Sequence, residues 1–243
     1  MAIRSGKEFV ESLRDERTIY VGGERVKDVT THPPFRGIVA TLASLYDFQH
    51  EHPEELTFRS PSSGDRVAAS FLMAGSVEKV EWRIRAEQMR ADFTYGLMGR
   101  MPDFCNALVT DLASGIADLG ARDPRFGENM RRYYEECRER DWCLTHTLVD
   151  PQVDRSRGPA EQSDPYLVLR VVRETDAGVV VRGAKMLSTL APFPTSYGSA
   201  RFIRAARARK TTRSASRSRA ARPDLSSSAA SPTTPGAATS IAR

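Results

Sequence analysis

The sequence predicts an α+β protein, on three observations. Apolar residues recur at helical spacing through roughly the first 140 positions, β-branched runs take over after Trp142, and from Pro194 the chain turns to Ala, Ser, Thr and Arg with no apolar period. A helical block followed by sheet is the order of an α domain leading into a β domain, not of alternating βαβ units. The expected division is a mainly helical domain over 1–141, a partial β domain over 142–193 and a disordered basic tail over 194–243.

The elements follow in order. Gly6 to Arg14 reads as a short helix, and Thr18-Ile-Tyr-Val-Gly-Gly-Glu-Arg-Val as two short strands joined by a Gly-Gly turn. After Pro34, the positions Ile38, Leu42, Leu45 and Tyr46 share one helical face, and His50-Glu-His-Pro marks the end of that helix. Leu56-Thr-Phe and Val67 to Leu72 flank Ser62-Ser-Gly-Asp, an extended excursion around a turn. Ser76 is placed to cap a helix beginning at Val77, and further helices are expected over Asp103 to Ile116 and Arg125 to Glu139. Strands are expected at Leu144 to Val149, Tyr166 to Val172 and Gly178 to Gly183, the last two joined by a hairpin turn at Glu174-Thr-Asp-Ala.

Charge separates the tail from the rest. The 243 residues carry 36 Lys and Arg against 31 Asp and Glu, for a net charge of +5 and a pI near 9.3. Ten basic residues and one acidic residue lie from Pro194 onward, which leaves twenty-six basic against thirty acidic before it. The basic pI therefore belongs to the tail. Twenty-eight of its fifty residues are Ala, Ser or Thr, a composition that cannot repay its ordering entropy. The abrupt switch is what GC-rich codons give out of frame, so a frame-shifted translation is expected. The tail has few aromatic residues on which bases could stack, so nucleic acid is an unexpected partner. No apolar run approaches the roughly 18 residues of a membrane span, and the opening Met1-Ala-Ile-Arg-Ser-Gly-Lys lacks a secretory signal, so a cytoplasmic location is expected. Cys105, Cys137 and Cys143 form no CxxC pair and read as ordinary thiols. His32, His50 and His52 read as loop residues without a metal.

Four stretches carry a further reading: Gly23-Glu-Arg-Val-Lys-Asp-Val-Thr-Thr-His-Pro, Thr94-Tyr-Gly-Leu-Met-Gly-Arg-Met-Pro-Asp-Phe, Cys143-Leu-Thr-His-Thr-Leu-Val-Asp-Pro-Gln-Val-Asp-Arg-Ser and Thr175-Asp-Ala-Gly-Val-Val-Val-Arg-Gly-Ala-Lys-Met-Leu-Ser-Thr. In this order, over residues 6–193, they resemble the N-terminal part of the 4-hydroxyphenylacetate 3-monooxygenase and 4-hydroxybutyryl-CoA dehydratase family, and the resemblance stops at Phe193. The resemblance implies an acyl-CoA-dehydrogenase-like fold, of which this chain would hold the helical domain and the opening strands of the middle β domain. It also implies a two-component monooxygenase that hydroxylates a 4-hydroxyphenylacetate-like phenol ortho to its hydroxyl. The reaction would use O2 and FAD as FADH2, supplied by a separate NADH-dependent flavin reductase. Full-length relatives would be homo-oligomers, and a chain of this length would be a truncated form with weak or absent flavin retention. The dehydratase branch is disfavoured, because Arg100 and Phe104 stand where cluster cysteines would be expected.

By match to the family motif, Arg100 and His146 are the catalytic residues. A phenol becomes nucleophilic at its ortho carbon as its proton is lost; the guanidinium of Arg100 would bind the phenol oxygen and His146 would donate to it or exchange its proton. Phe104 stands where the family usually has a tyrosine, keeping a ring wall and losing a hydroxyl donor. Thr189 is the further substrate or flavin contact. The run after Trp142 resembles the segment along the flavin, so Thr145, His146, Thr147, Pro151, Gln152, Asp154 and Arg155 are the cofactor neighbours, with Gln152 suited to the ring edge and Arg155 to the diphosphate. Asp150 replaces a common asparagine. The competing reading, from another class, is a non-catalytic helical binding protein with a basic disordered tail.

Overall fold

The structure is a computed structural model that describes residues 3–98, 102–147, 149–151, 153–158, 161–164, 166–175, 178–186 and 188–199, with strand backbone at 216–219 and 226–228. Two compact units are present: Met1–Arg14 with Thr30–Leu144, and Asp15–Val29 with Thr145–Arg243.

The first unit opens on helix α1 (Gly6–Ser12), started by a reciprocal cap: the Ser5 side chain accepts from the Glu8 amide, and Glu8 accepts from the Ser5 amide at 2.7 Å. Helix α2 (Arg36–Glu51) buries Val39, Leu42, Leu45 and Tyr46, and Phe9 of α1 stacks on Tyr46 with centroids 4.9 Å apart. A short helix α3 (Pro53–Leu56) leads into an antiparallel hairpin of β3 (Thr57–Arg59) and β4 (Arg66–Ala68), then a 3-10 turn at Ala69–Phe71. Helix α4 (Val77–Phe93) is capped by Ser76 as the sequence predicts. Helix α5 (Pro102–Ser114) is followed by α6 (Ile116–Arg122) and α7 (Pro124–Glu139). The seven-residue α6 is not foreseen in the sequence, because Ile116 and Leu119 are too short an apolar repeat to register as periodic. A core of Phe71, Val109, Tyr134, Cys137, Trp142 and Leu144 joins the 3-10 turn, α5 and α7.

In the second unit, β1 (Thr18–Val21) and β2 (Glu24–Val26) form the expected hairpin, with Gly22 and Gly23 at φ 60° and 88° supplying the turn that L side chains resist. Strand β5 (Leu144–His146) is shorter than expected, and Val149 pairs only as an isolated bridge to Met186. Strands β6 (Arg170–Thr175) and β7 (Gly178–Arg182) pair antiparallel. The predicted start of β6 at Tyr166 is corrected to Arg170. Asp164 accepts from the Tyr166 and Leu167 amides and commits those residues to a turn. Phe193, Pro194 and Ser196 are buried, and from that anchor β8 (Ser196–Ser199) pairs antiparallel with β9 (Ser216–Arg219). The sheet order is β5-β8-β9, and β10 (Ser226–Ser228) pairs parallel with β1. Among the described residues no helix is long and apolar enough to cross a membrane.

Candidate functional site

The second unit gathers several of the predicted residues on two antiparallel segments. Thr145, buried on β5, donates its hydroxyl to the Thr189 carbonyl and lies 3.3 Å from the Ser188 hydroxyl. Further along, the Met186 amide donates to the Val149 carbonyl at 2.8 Å, and the Lys185 ammonium pairs with Asp150 at 2.8 Å. Thr145, Asp150, Lys185, Ser188 and Thr189 thus form rungs of one short ladder. Its far strand begins at Gly183, whose φ of 131° and approach to Val168 exclude a side chain; a Cβ there would lie 2.3 Å from the Val168 carbonyl oxygen.

His146 ends β5 half-buried, and Thr147 and Pro151 are half-buried in the segment that follows. Asp154 accepts from the Ser156 amide and hydroxyl, bonds that hold its carboxyl below the usual range, and pairs with Arg157 at 3.2 Å. Arg155 and Thr189 are exposed. Arg100 and Gln152 lie outside the described residues. Phe104 stands in the first unit, on the first turn of α5, and is 42% exposed.

An anionic dinucleotide such as FAD places a chemical demand on this segment: cations and donors must be available and carboxylates neutralised. Asp150 is answered by Lys185, whose side chain is 7% exposed, and Asp154 by Arg157 and Ser156. Arg155 presents a cation to solvent and Thr189 a hydroxyl, so the donor set fits the group. Lys185, which the sequence analysis did not single out, answers Asp150 from three residues beyond the Val-rich run Gly178 to Arg182. Among the described residues no cluster of three or more His, Cys, Asp or Glu is placed to hold a metal. The three cysteines are buried.

The first unit contains a second polar group of residues, beside the start of α5. Asp141, fully buried at φ 47°, accepts from the Arg4 amide and from the Gln49 side chain, each at 3.1 Å. Arg4 also donates to the Asp141 carbonyl and to the Tyr46 hydroxyl, both at 2.9 Å. A cavity of about 30 Å³ opens beside these groups, lined also by Arg90, Asp103 and Asn106.

Comparison with known proteins follows the same lines. Residues 5–197 match the family described as 4-hydroxyphenylacetate 3-hydroxylase N terminal, four residues beyond the Phe193 limit read from the sequence. The oxygenase component of 4-hydroxyphenylacetate 3-monooxygenase from Geobacillus sp. (strain PA-9) is 42% identical over 192 residues, covering 78% of this chain and 38% of the relative. A crystal structure of such an oxygenase component, complexed with FAD and 4-hydroxyphenylacetate, superposes with a TM-score of 0.75 at 41% identity, covering 82% of this chain and 41% of the other. An archaeal 4-hydroxybutyryl-CoA dehydratase gives a TM-score of 0.74 at 25% identity, covering 84% of this chain and 41% of the other. The chain thus spans about two-fifths of the length of these relatives.

Proposed function

The chain belongs to the 4-hydroxyphenylacetate 3-hydroxylase N-terminal family, and from that membership we propose that it carries the N-terminal share of a two-component, FADH2-dependent oxygenase that hydroxylates a phenol ortho to its hydroxyl. The observation that carries the proposal is the 42% identity to an oxygenase component over the stretch that includes the Arg100 and His146 motifs. Reduced FAD, when bound, supplies an electrophilic oxygen drawn from O2. The residues of this chain do the rest. Arg100 holds the phenol oxygen and favours its ionised form, because a guanidinium stays charged at every working pH. His146, at the end of β5, donates to that oxygen or moves its proton. Thr189 adds a hydroxyl, Arg155 steadies the diphosphate, and the ion pair of Asp150 with Lys185 keeps negative charge away from it. Phe104, where the family usually has a tyrosine, offers a ring without a hydroxyl and points to a phenol whose recognition does not depend on a tyrosine hydroxyl there. The flavin, a separate flavin reductase, O2 and the self-association of longer relatives belong to this reading, as does a cytoplasmic setting.

A chimera tests it. Residues 5–197 are placed in the Geobacillus oxygenase component in exchange for its matching segment, and catechol formation is followed with FADH2 supplied by a reductase. The chimera is expected to hydroxylate 4-hydroxyphenylacetate or a related phenol, His146→Ala to lower turnover by about 10²-fold or more, and Phe104→Tyr to lower KM by roughly 2- to 10-fold through one regained hydrogen bond. A chimera that folds and binds FAD yet oxidises no phenol would contradict the proposal.

A further inference from the structure

We propose that the small cavity beside Asp141 is a hydration site, in which two ordered waters join Gln49 of α2, Arg90 of α4, and Asp103 and Asn106 of α5. Three of these lining residues carry an acceptor oxygen that is buried and has no donor among the described residues: Gln49 Oε1, Asn106 Oδ1 and Asp103 Oδ1. Gln49 and Asn106 are both more than nine-tenths buried, so bulk solvent does not reach their oxygens. Their amide nitrogens are already engaged. Gln49 donates to the Asp141 carboxylate and Asn106 to the Ser70 hydroxyl, both at 3.1 Å. Turning the Gln49 amide would set its oxygen against that carboxylate, so its orphan oxygen cannot be relieved by rotation.

Volume and proton count agree on the occupant. The cavity of about 30 Å³ has room for two waters at roughly 10–15 Å³ each, and none for a substrate-sized molecule. Two waters bring four protons, three for the orphan oxygens and one for the bond between the waters. Their lone pairs need donors in return, and Arg90 supplies them. Its side chain, 6% exposed, lines the same cavity, and its bond to Glu87 at 3.3 Å uses one of the five N–H groups of a guanidinium. The same guanidinium opposes a metal ion, because it puts a fixed positive charge in the wall. A dry cavity is the costlier alternative, since a buried oxygen without a donor forfeits more than the ordering of one water consumes. Asp141 also holds Arg4. Through Gln49 the waters therefore extend the polar network of the N-terminal segment as far as α5.

The test uses the full chain. Oxygen-17 relaxation dispersion of the solvent counts internal waters that outlast molecular tumbling, and Asn106→Leu removes one acceptor while filling part of the space. The wild type is expected to hold more long-lived water than N106L, with the same helical circular dichroism in both. A double-mutant cycle reads the link itself, because the two amide oxygens have no donor of their own and couple through what fills the cavity. N106L and Gln49→Met should each lower the folding constant by about 5- to 150-fold. Together they should lower it by less than the product of the two, short by at least about 3-fold. A crystal soaked in rubidium chloride separates water from ion: water bonded to Gln49 Oε1 and Asn106 Oδ1, with no anomalous peak, is expected. Equal long-lived water in the wild type and N106L, losses that multiply to within about 2-fold, a dry cavity, or a rubidium peak in it would each overturn the proposal. Should Q49M not fold, the water count and the crystal still decide. None of these readouts uses activity, so the hydration site and the hydroxylase reading stand or fall separately.

Discussion

Asp141 shows how a single residue can hold the first unit together. Its side chain is buried, burial raises its pKa, and Arg4 with Gln49 opposes that rise by donating to the charged form. The attraction in such a pair only offsets the desolvation of both partners, so the pair itself adds little net stability. Removing one partner is a different matter, because the other is left buried and charged. Arg4→Ala is therefore expected to cost roughly 3–5 kcal/mol in denaturant unfolding, and Arg4→Ala with Asp141→Asn together less than Arg4→Ala alone. Additive losses in the double variant would show that the two residues act independently. Neither partner was legible in the sequence. Arg4 sits in a polar opening segment and Asp141 follows Arg140 at a helix end, where a charged residue is usually solvated. Their pairing spans 137 positions and depends on how α1, α2 and α7 assemble. His146, Arg100 and Phe104 are the opposite case, since local motifs carry them.

At the scale of elements, the sequence anticipates most of the helices because their signals are local. Ser76 before Val77 and the Leu42, Leu45, Tyr46 face both fall within one or two turns. The strands of the second unit were read less well. Val-rich runs announce β7, but where β6 begins is decided by the Asp164 turn, and where β5 ends is decided by the ladder that starts at Thr145. That ladder rests on Gly183. With φ at 131° and the Val168 backbone in the place of a Cβ, Gly183→Ala must displace main chain, not a flexible side-chain end. The expected cost is about 1–3 kcal/mol, confined to the second unit. Hydrogen exchange checks this directly: amides of β6 and β7 should lose protection in the variant while those of α2 and α5 keep theirs. Undiminished protection in β7 would mean that Lys185 and Thr189 are held by something other than this bend.

The whole molecule combines two charge regimes that the chain keeps apart in sequence. Up to Tyr197, where the family match ends, the residues are net acidic, and every positive charge that inverts the balance lies beyond it. Among the described residues, all helices and the core around Phe71 and Tyr134 fall within residues 3–144. Among the described residues, strands β9 and β10 pair with β8 and β1 of the second unit. A chain ended at Tyr197 should therefore keep its helical circular dichroism, while its net charge near neutral pH changes from +5 to about −4. It should bind an anion exchanger where the full chain binds a cation exchanger. Protection of β1 should fall if the pairing with Ser226–Ser228 matters to that hairpin. Loss of helical signal on truncation would instead make the basic segment part of the first unit's folding, and would favour a binding role for it over an incidental one.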